Sequence, residues 1–274
     1  MRINKESFTL LNSNGEINGD IHLVPNHSDS RGVVIFTHGY KGFKDWGAWS
    51  LLADDLAREG WVFVRFNFTH NGHSAKSPLD CTELNKWSKN TYLKEYQDCS
   101  SVIDWVYNKF PTLKISLIGH SRGGGIATIT AAHNSHVSKL FLLASVSDFA
   151  KRFPKGEKLK EWELTDRLEV VNGRTGQVQH HKFNFYTNYI ENEQTLNIKK
   201  CARRLTIPVV IIHGDNDQAV AIDEANALDS WIDHSSLYIV ENAGHTFNTS
   251  HPWNREEMPQ EMIEVKDLLL NGLE

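Results

Sequence analysis

From residue 32 onward, two kinds of apolar pattern alternate along the chain. GVVIFTHG (32–39), WVFVRFNF (61–68), KISLIGH (114–120), KLFLLAS (139–145), PVVIIHG (208–214) and LYIVEN (237–242) are short, near-continuous apolar runs, as expected of strands covered on both faces. Between them, WGAWSLLADDLAREG (46–60), RGGGIATITAAHN (122–134), IDEANALDSWI (222–232) and a last stretch near 256–271 space their apolar residues for helices. The longest such run, 91–110, carries Tyr92, Tyr96, Val102, Val106 and Phe110 on one helical face and is stopped by Pro111. Strands alternating with helices predict right-handed βαβ units and a mostly parallel sheet flanked by helices, an α/β fold. Ahead of this series, SFTLL and INGDIHLVP are joined across NSNGE, an N-terminal β-hairpin whose Asn-Gly supplies positive φ.

Residues 148–205 break the alternation. They are polar and aromatic, with helical pieces at each end and a hairpin in RLEVVNGRTGQVQHHKFNFY turning at Asn172-Gly173 or Thr175-Gly176. The expectation is one domain spanning 1–274, with 148–205 as a small cap inserted between two sheet strands. If KFNFY is a strand, Phe183 and Phe185 share one face and Tyr186 the other. With Trp162, the two phenylalanines are candidate substrate contacts, because ligand pockets are lined by apolar and aromatic side chains.

The composition is that of an ordinary globular protein, and a formal net charge of −5 without a Lys/Arg run gives no nucleic-acid footprint. Cys81, Cys99 and Cys201 fit neither a disulfide framework nor a paired zinc site, which favours a reducing compartment. No signal-peptide core or membrane-length apolar stretch is present in the sequence, so the expectation is a soluble, cytoplasmic protein.

The chemistry is concentrated at GHSRG (119–123), a G-x-S-x-G pattern between a strand and a helix. That context places a serine on a sharp, exposed turn. A serine needs a base to take its proton and a carboxylate to orient the base. Downstream strands end in IIHGDND, offering Asp215 and Asp217, and IVENAGHTF, offering His245. His38 and His213, each before a glycine at a strand end, are expected to brace loops. The glycines of 119–125 lack the Gly-Lys-Ser/Thr ending of a phosphate loop.

THGYKGF, GHSRGG, HGDNDQAV and NAGHTF together resemble the α/β-hydrolase superfamily of serine hydrolases over nearly the whole chain. The resemblance implies a Ser121–His245–Asp217 triad, since the acid of such enzymes usually lies three residues past the HG pair. It also implies an oxyanion hole made by the backbone N–H groups of Tyr40 and Arg122. HGYKGFKDW, RFNFTHNGHS and the small cap are similar to bacterial feruloyl and cinnamoyl esterases, although NFTHNGHS lacks the fuller glycine pattern often seen there. The implied activity is hydrolysis of carboxylic esters, aromatic or short-acyl, through an acyl-enzyme. A serine peptidase or thioesterase on the same frame, and a non-catalytic binding protein, remain as alternatives. No cofactor and no metal are expected; the partner would be a small-molecule ester, with neither nucleic acid nor membrane, and a homodimer is left open.

Overall fold

A computed structural model describes residues 2–25, 29–173 and 175–274. The strands are β1 (Asn4–Asn12), β2 (Gly15–Leu23), β3 (Gly32–Thr37), β4 (Trp61–Phe66), β5 (Ile115–His120), β6 (Val137–Leu143), β7 (Leu168–Val171), β8 (Val178–His181), β9 (Val209–Gly214) and β10 (Ser235–Val240). Eight of them form one sheet in the order β1-β2-β4-β3-β5-β6-β9-β10. The N-terminal hairpin joins antiparallel through β2 and β4, and from β4 to β10 all neighbours are parallel.

The helices are α1 (Trp49–Arg58), α2 (Leu84–Ser88), α3 (Tyr92–Lys109), α4 (Arg122–His133), α5 (Glu157–Thr165), α6 (Asn184–Glu191), α7 (Glu193–Leu196), α8 (Ile198–Ala202), α9 (Ile222–Trp231) and α10 (Gln260–Leu273). Thr91 caps α3 by accepting a hydrogen bond from Lys94 N, satisfying one of the donors that a helix start leaves open. Because side chains alternate along a strand, each buried strand feeds two cores. Val34, Phe36, Ile118 and Phe141 pack under α1 and α10 on one face. Ile35, Leu117, Leu142 and Ile211 pack under α3, α4 and α9 on the other.

Residues between β6 and β9 carry α5, the β7–β8 hairpin and α6 to α8. Of the two predicted turn positions, both lie inside the connection closed by Asn172 N to Gln177 O and Gly176 N to Asn172 O, and Arg174 is outside the described residues. Two local expectations are corrected. The sixth strand begins at Val137, ahead of KLFLLAS. KFNFY is not a strand: Phe183 precedes α6 and Phe185 lies in it, so the two do not share a strand face. Asp166 Oδ1 accepts from Phe183 N at 2.8 Å, ending the hairpin there. Helical spacing then buries Phe185 and Tyr189, four residues apart, against Tyr92 and Phe149.

Candidate active site

Ser121 sits between the end of β5 and the first residue of α4 with φ 56° and ψ −120°. A non-glycine residue held at such a conformation costs about 1–3 kcal/mol and persists only where its surroundings impose it. Here they do: Ser121 N donates to Leu143 O at 2.9 Å, and Ser121 O accepts from Gly124 N and Val146 N at 3.0 and 3.2 Å. Gly123 allows α4 to start this close to the sheet, since a Cβ there would lie 2.4 Å from Thr37 O and 2.6 Å from His38 O.

The loops after β9 and β10 bring two further groups to the serine. His245 Nε2 is 2.9 Å from Ser121 Oγ, and His245 Nδ1 is 2.7 Å from Asp217 Oδ2. A carboxylate only accepts, so Nδ1 carries the hydrogen and Nε2 of the neutral ring presents its lone pair to the serine hydroxyl. The other oxygen of Asp217 accepts from Ala219 N and Val220 N at 2.8 and 2.9 Å. Burial alone would raise this carboxyl, but hydrogen bonds from His213, His245 and Val220 N outweigh it and hold Asp217 well below the usual carboxylate range. Asp215 is exposed, with its N–H tied to Val240 O, and does not pair with His245.

His213 is fully buried and donates from Nε2 to Val220 O at 2.9 Å, which braces the loop holding Asp217. His38 plays a similar part, with Nδ1 on Gly39 O at 2.9 Å; burial pushes its pKa down to about 3. His120, also pushed down to about 3 by burial, donates from Nε2 to His245 O at 2.9 Å. Sequence reasoning missed that bond, which runs between residues 125 apart in the chain.

The loop after β3 passes directly over the serine. A Cβ on Gly39 would lie 2.9 Å from Ser121 Cβ. Gly42 N closes a turn onto Gly39 O, with Lys41 at φ 57°, so the turn's own bond does not use Tyr40 N–H. Arg122 N–H belongs to the first residue of α4, where N–H groups have no partner within the helix and the dipole favours negative charge. The structure therefore brings the Tyr40 and Arg122 segments together at Ser121.

Two cavities meet there. One, of about 460 Å³, lies against the segment between β6 and β9 and is walled by Tyr92, Phe149, Phe153, Trp162 and Phe185 together with Arg122. The other, of about 430 Å³, is walled by Trp46, Trp49, Thr249 and His251. Of the three cap residues singled out from sequence, Trp162 and Phe185 face the first cavity. Phe183 does not; it packs edge-on against Trp162 at 5.5 Å. Among the described residues, no group of His, Cys, Asp and Glu is placed to hold a metal ion, and no helix is long and apolar enough to cross a membrane.

A mostly parallel sheet with a serine elbow at the head of a helix, and a histidine and an aspartate delivered by later strand ends, defines an α/β hydrolase. The chain belongs to the alpha/beta hydrolase fold family, whose model matches residues 32–186 and 154–252 in two overlapping segments. A monoacylglycerol lipase from Mycolicibacterium smegmatis is 22% identical over 215 residues, covering 71% of this chain and 73% of the relative. Among solved structures, Est1E from Butyrivibrio proteoclasticus with ferulic acid bound aligns at a TM-score of 0.74 and 19% identity, over 97% of this chain and 99% of that one. A putative hydrolase from Agrobacterium vitis S4 aligns equally, with TM-score 0.74, 19% identity and 100% of both chains covered. At such identities the likeness of the structures is one of fold.

Proposed function

We propose that this hydrolase is a serine esterase acting through a Ser121–His245–Asp217 triad and an acyl-enzyme. The observation that carries this is the unbroken hydrogen-bond chain from Ser121 Oγ through His245 to a buried Asp217, at the junction of two cavities. Ser121 Oγ attacks the ester carbonyl while its proton passes to His245 Nε2. The C=O pair becomes an oxyanion facing the N–H groups of Tyr40 and Arg122, a contribution of about 2.7–4 kcal/mol per donor in such sites. Collapse breaks the bond to the alkoxy oxygen, which takes the proton from His245 and leaves as the alcohol. Water then repeats the sequence on the acyl-enzyme and releases the acid. Asp217 keeps the imidazole in the required tautomer throughout.

The aromatic walls of the cavity under the cap suit a planar acyl group of the hydroxycinnamoyl kind, and Est1E is described with ferulic acid bound. Cys81, Cys99 and Cys201 are free and buried, in keeping with a reducing, cytoplasmic setting. The test is labelling by a fluorophosphonate probe together with turnover of p-nitrophenyl acetate, a hydroxycinnamoyl ester, an acyl thioester and an aminoacyl anilide. The expected result is labelling that Ser121→Ala abolishes in a folded protein, with esters turned over fastest. A Ser121→Ala enzyme as active as wild type would overturn the nucleophile, and faster thioester or anilide turnover would overturn the esterase assignment.

A further inference from the structure

The side chains of the two residues that supply the oxyanion N–H groups are stacked on one another. Arg122 Cζ lies 3.9 Å from the centroid of the Tyr40 ring, closer than to Tyr92 at 5.0 Å or Phe185 at 5.3 Å. A guanidinium over an aromatic face is attracted by the ring's quadrupole, and more strongly out of water than in it. Each partner is anchored from a different part of the fold. Tyr40 Oη is 2.9 Å from Nε2 of His181, at the end of β8 in the cap, and His181 is itself stacked on Trp87 and Phe185 at 4.1 and 4.5 Å. Arg122 Nη1 is 3.3 Å from Glu95 Oε1 on α3, and that same oxygen accepts from Asn90 Nδ2 at 2.6 Å. The ion pair is buried, with the two side chains only 10% and 6% exposed.

A buried pair of this kind is poor value for stability, because apolar replacements of similar volume are often as stable or more so. It does restrict position: the guanidinium fork cannot move without breaking with Glu95 and leaving the Tyr40 ring. Resting on the esterase reading above, we infer that the Tyr40–Arg122 stack, fixed by Glu95 and His181, is a clamp that holds the two oxyanion N–H donors at their working separation and couples that separation to the seating of the cap. Glu95 and His181 are thus positioning residues. The clamp acts on the transition state, since the ground-state carbonyl makes weaker use of the hole.

The experiment compares wild type with the paired substitution Glu95→Gln/Arg122→Met, which removes both charges and leaves no buried ion alone, and with Tyr40→Leu. Neither alters the peptide N–H groups. The substrate is p-nitrophenyl acetate, whose acyl group is too small to use the aromatic cavity, and binding of an alkyl trifluoromethyl ketone reports on the tetrahedral oxyanion adduct. Expected is a fall in kcat of about 10- to 100-fold, in line with the cost of misplacing a catalytic group by about 1 Å. KM should stay within about twofold and ketone affinity should fall by the same factor as kcat; Tyr40→Phe, which keeps the ring under Arg122 but loses the bond to His181, should fall between wild type and Tyr40→Leu. An unchanged kcat, or a raised KM with kcat unchanged, would overturn the clamp and leave the pair as cavity wall. Should the paired variant fail to fold, Tyr40→Leu against Tyr40→Phe decides alone. A wild-type protein that neither turns over esters nor labels with fluorophosphonate would instead remove the esterase reading.

Discussion

At the scale of single residues, the strongest contrast is between two aspartates two positions apart. Asp217 is 1% exposed in its side chain and receives His245 Nδ1–H, whereas Asp215 is exposed on the same loop. Asp217→Asn can offer its amide N–H to Nδ1 and so stabilise the wrong tautomer, for which the expected loss in kcat is about 10⁴-fold. Asp215→Asn should leave kcat within about threefold, a surface change away from any such feature. Steady-state kinetics on both variants check this, and the reverse ranking would move the acid to Asp215. That Ser121 and His245 would meet was legible in the sequence because each follows a strand in a short, recognisable context; that context left Asp215 and Asp217 both open, and only the resemblance to α/β hydrolases favoured Asp217, the one that lies against His245. The partners of Arg122 were not legible, since Glu95 and Tyr40 meet it only through the packing of α3 and the β3 loop against α4.

The elements themselves were largely legible, because buried strands and amphipathic helices write different periods into the chain. Where both periods fit, the sequence was ambiguous: the aromatics of FNFY alternate over a few positions, yet Phe185 and Tyr189 also fit a helix, and burial against Tyr92 decides for the helix. The consequence is a sharper expectation for the cap. Phe185 walls the cavity beside Ser121 and Phe183 does not, so Phe185→Ala should lower kcat/KM for a hydroxycinnamoyl ester at least tenfold more than for an acetyl ester. Phe183→Ala should lower both alike, with a reduced Tm. Equal losses on both esters from Phe185→Ala would show that ring to be cap core alone. Packing of α4 on β3 gives a second contrast at this scale. Gly123→Ala would drive a methyl group into two backbone carbonyls, Thr37 O and His38 O, whereas an alanine at Gly173 meets nothing within 4 Å. Thermal unfolding should show Gly123→Ala destabilised by about 1–3 kcal/mol or more, as for other overpacked sites, and Gly173→Ala unchanged. A neutral Gly123→Ala would mean that the elbow tolerates a displaced helix.

Over the whole molecule, the braces around the site set how stability responds to acid. His38 and His120 are buried and held down to about 3, while an unfolded chain protonates histidine near 6.5. Between those values the unfolded state binds more protons than the folded one, so stability is full above about 6.5 and declines as pH falls toward about 3. Each such group contributes at most about 1.4 kcal/mol per pH unit inside that window. Glu95 and Asp98, raised by burial, act in the opposite sense, because the fold takes up their protons first as pH falls toward their ordinary values. Asp20 and Asp217 are held low by their hydrogen-bond and charge partners despite burial, and they add to acid sensitivity only below the ordinary carboxylate value of 3.8. The range from pH 7 to 5 lies above the region where those two aspartates take up protons, so the histidines held low there, His38, His120, His70 and His181, act against Glu95 and Asp98. Tm should fall by several degrees across it. His38→Gln, which keeps a polar side chain beside Gly39 O without the titration, should start from a lower Tm at pH 7 and lose less between pH 7 and 5. A slope equal to that of wild type, in His38→Gln and again in His120→Gln, would show that these two imidazoles do not set the acid response.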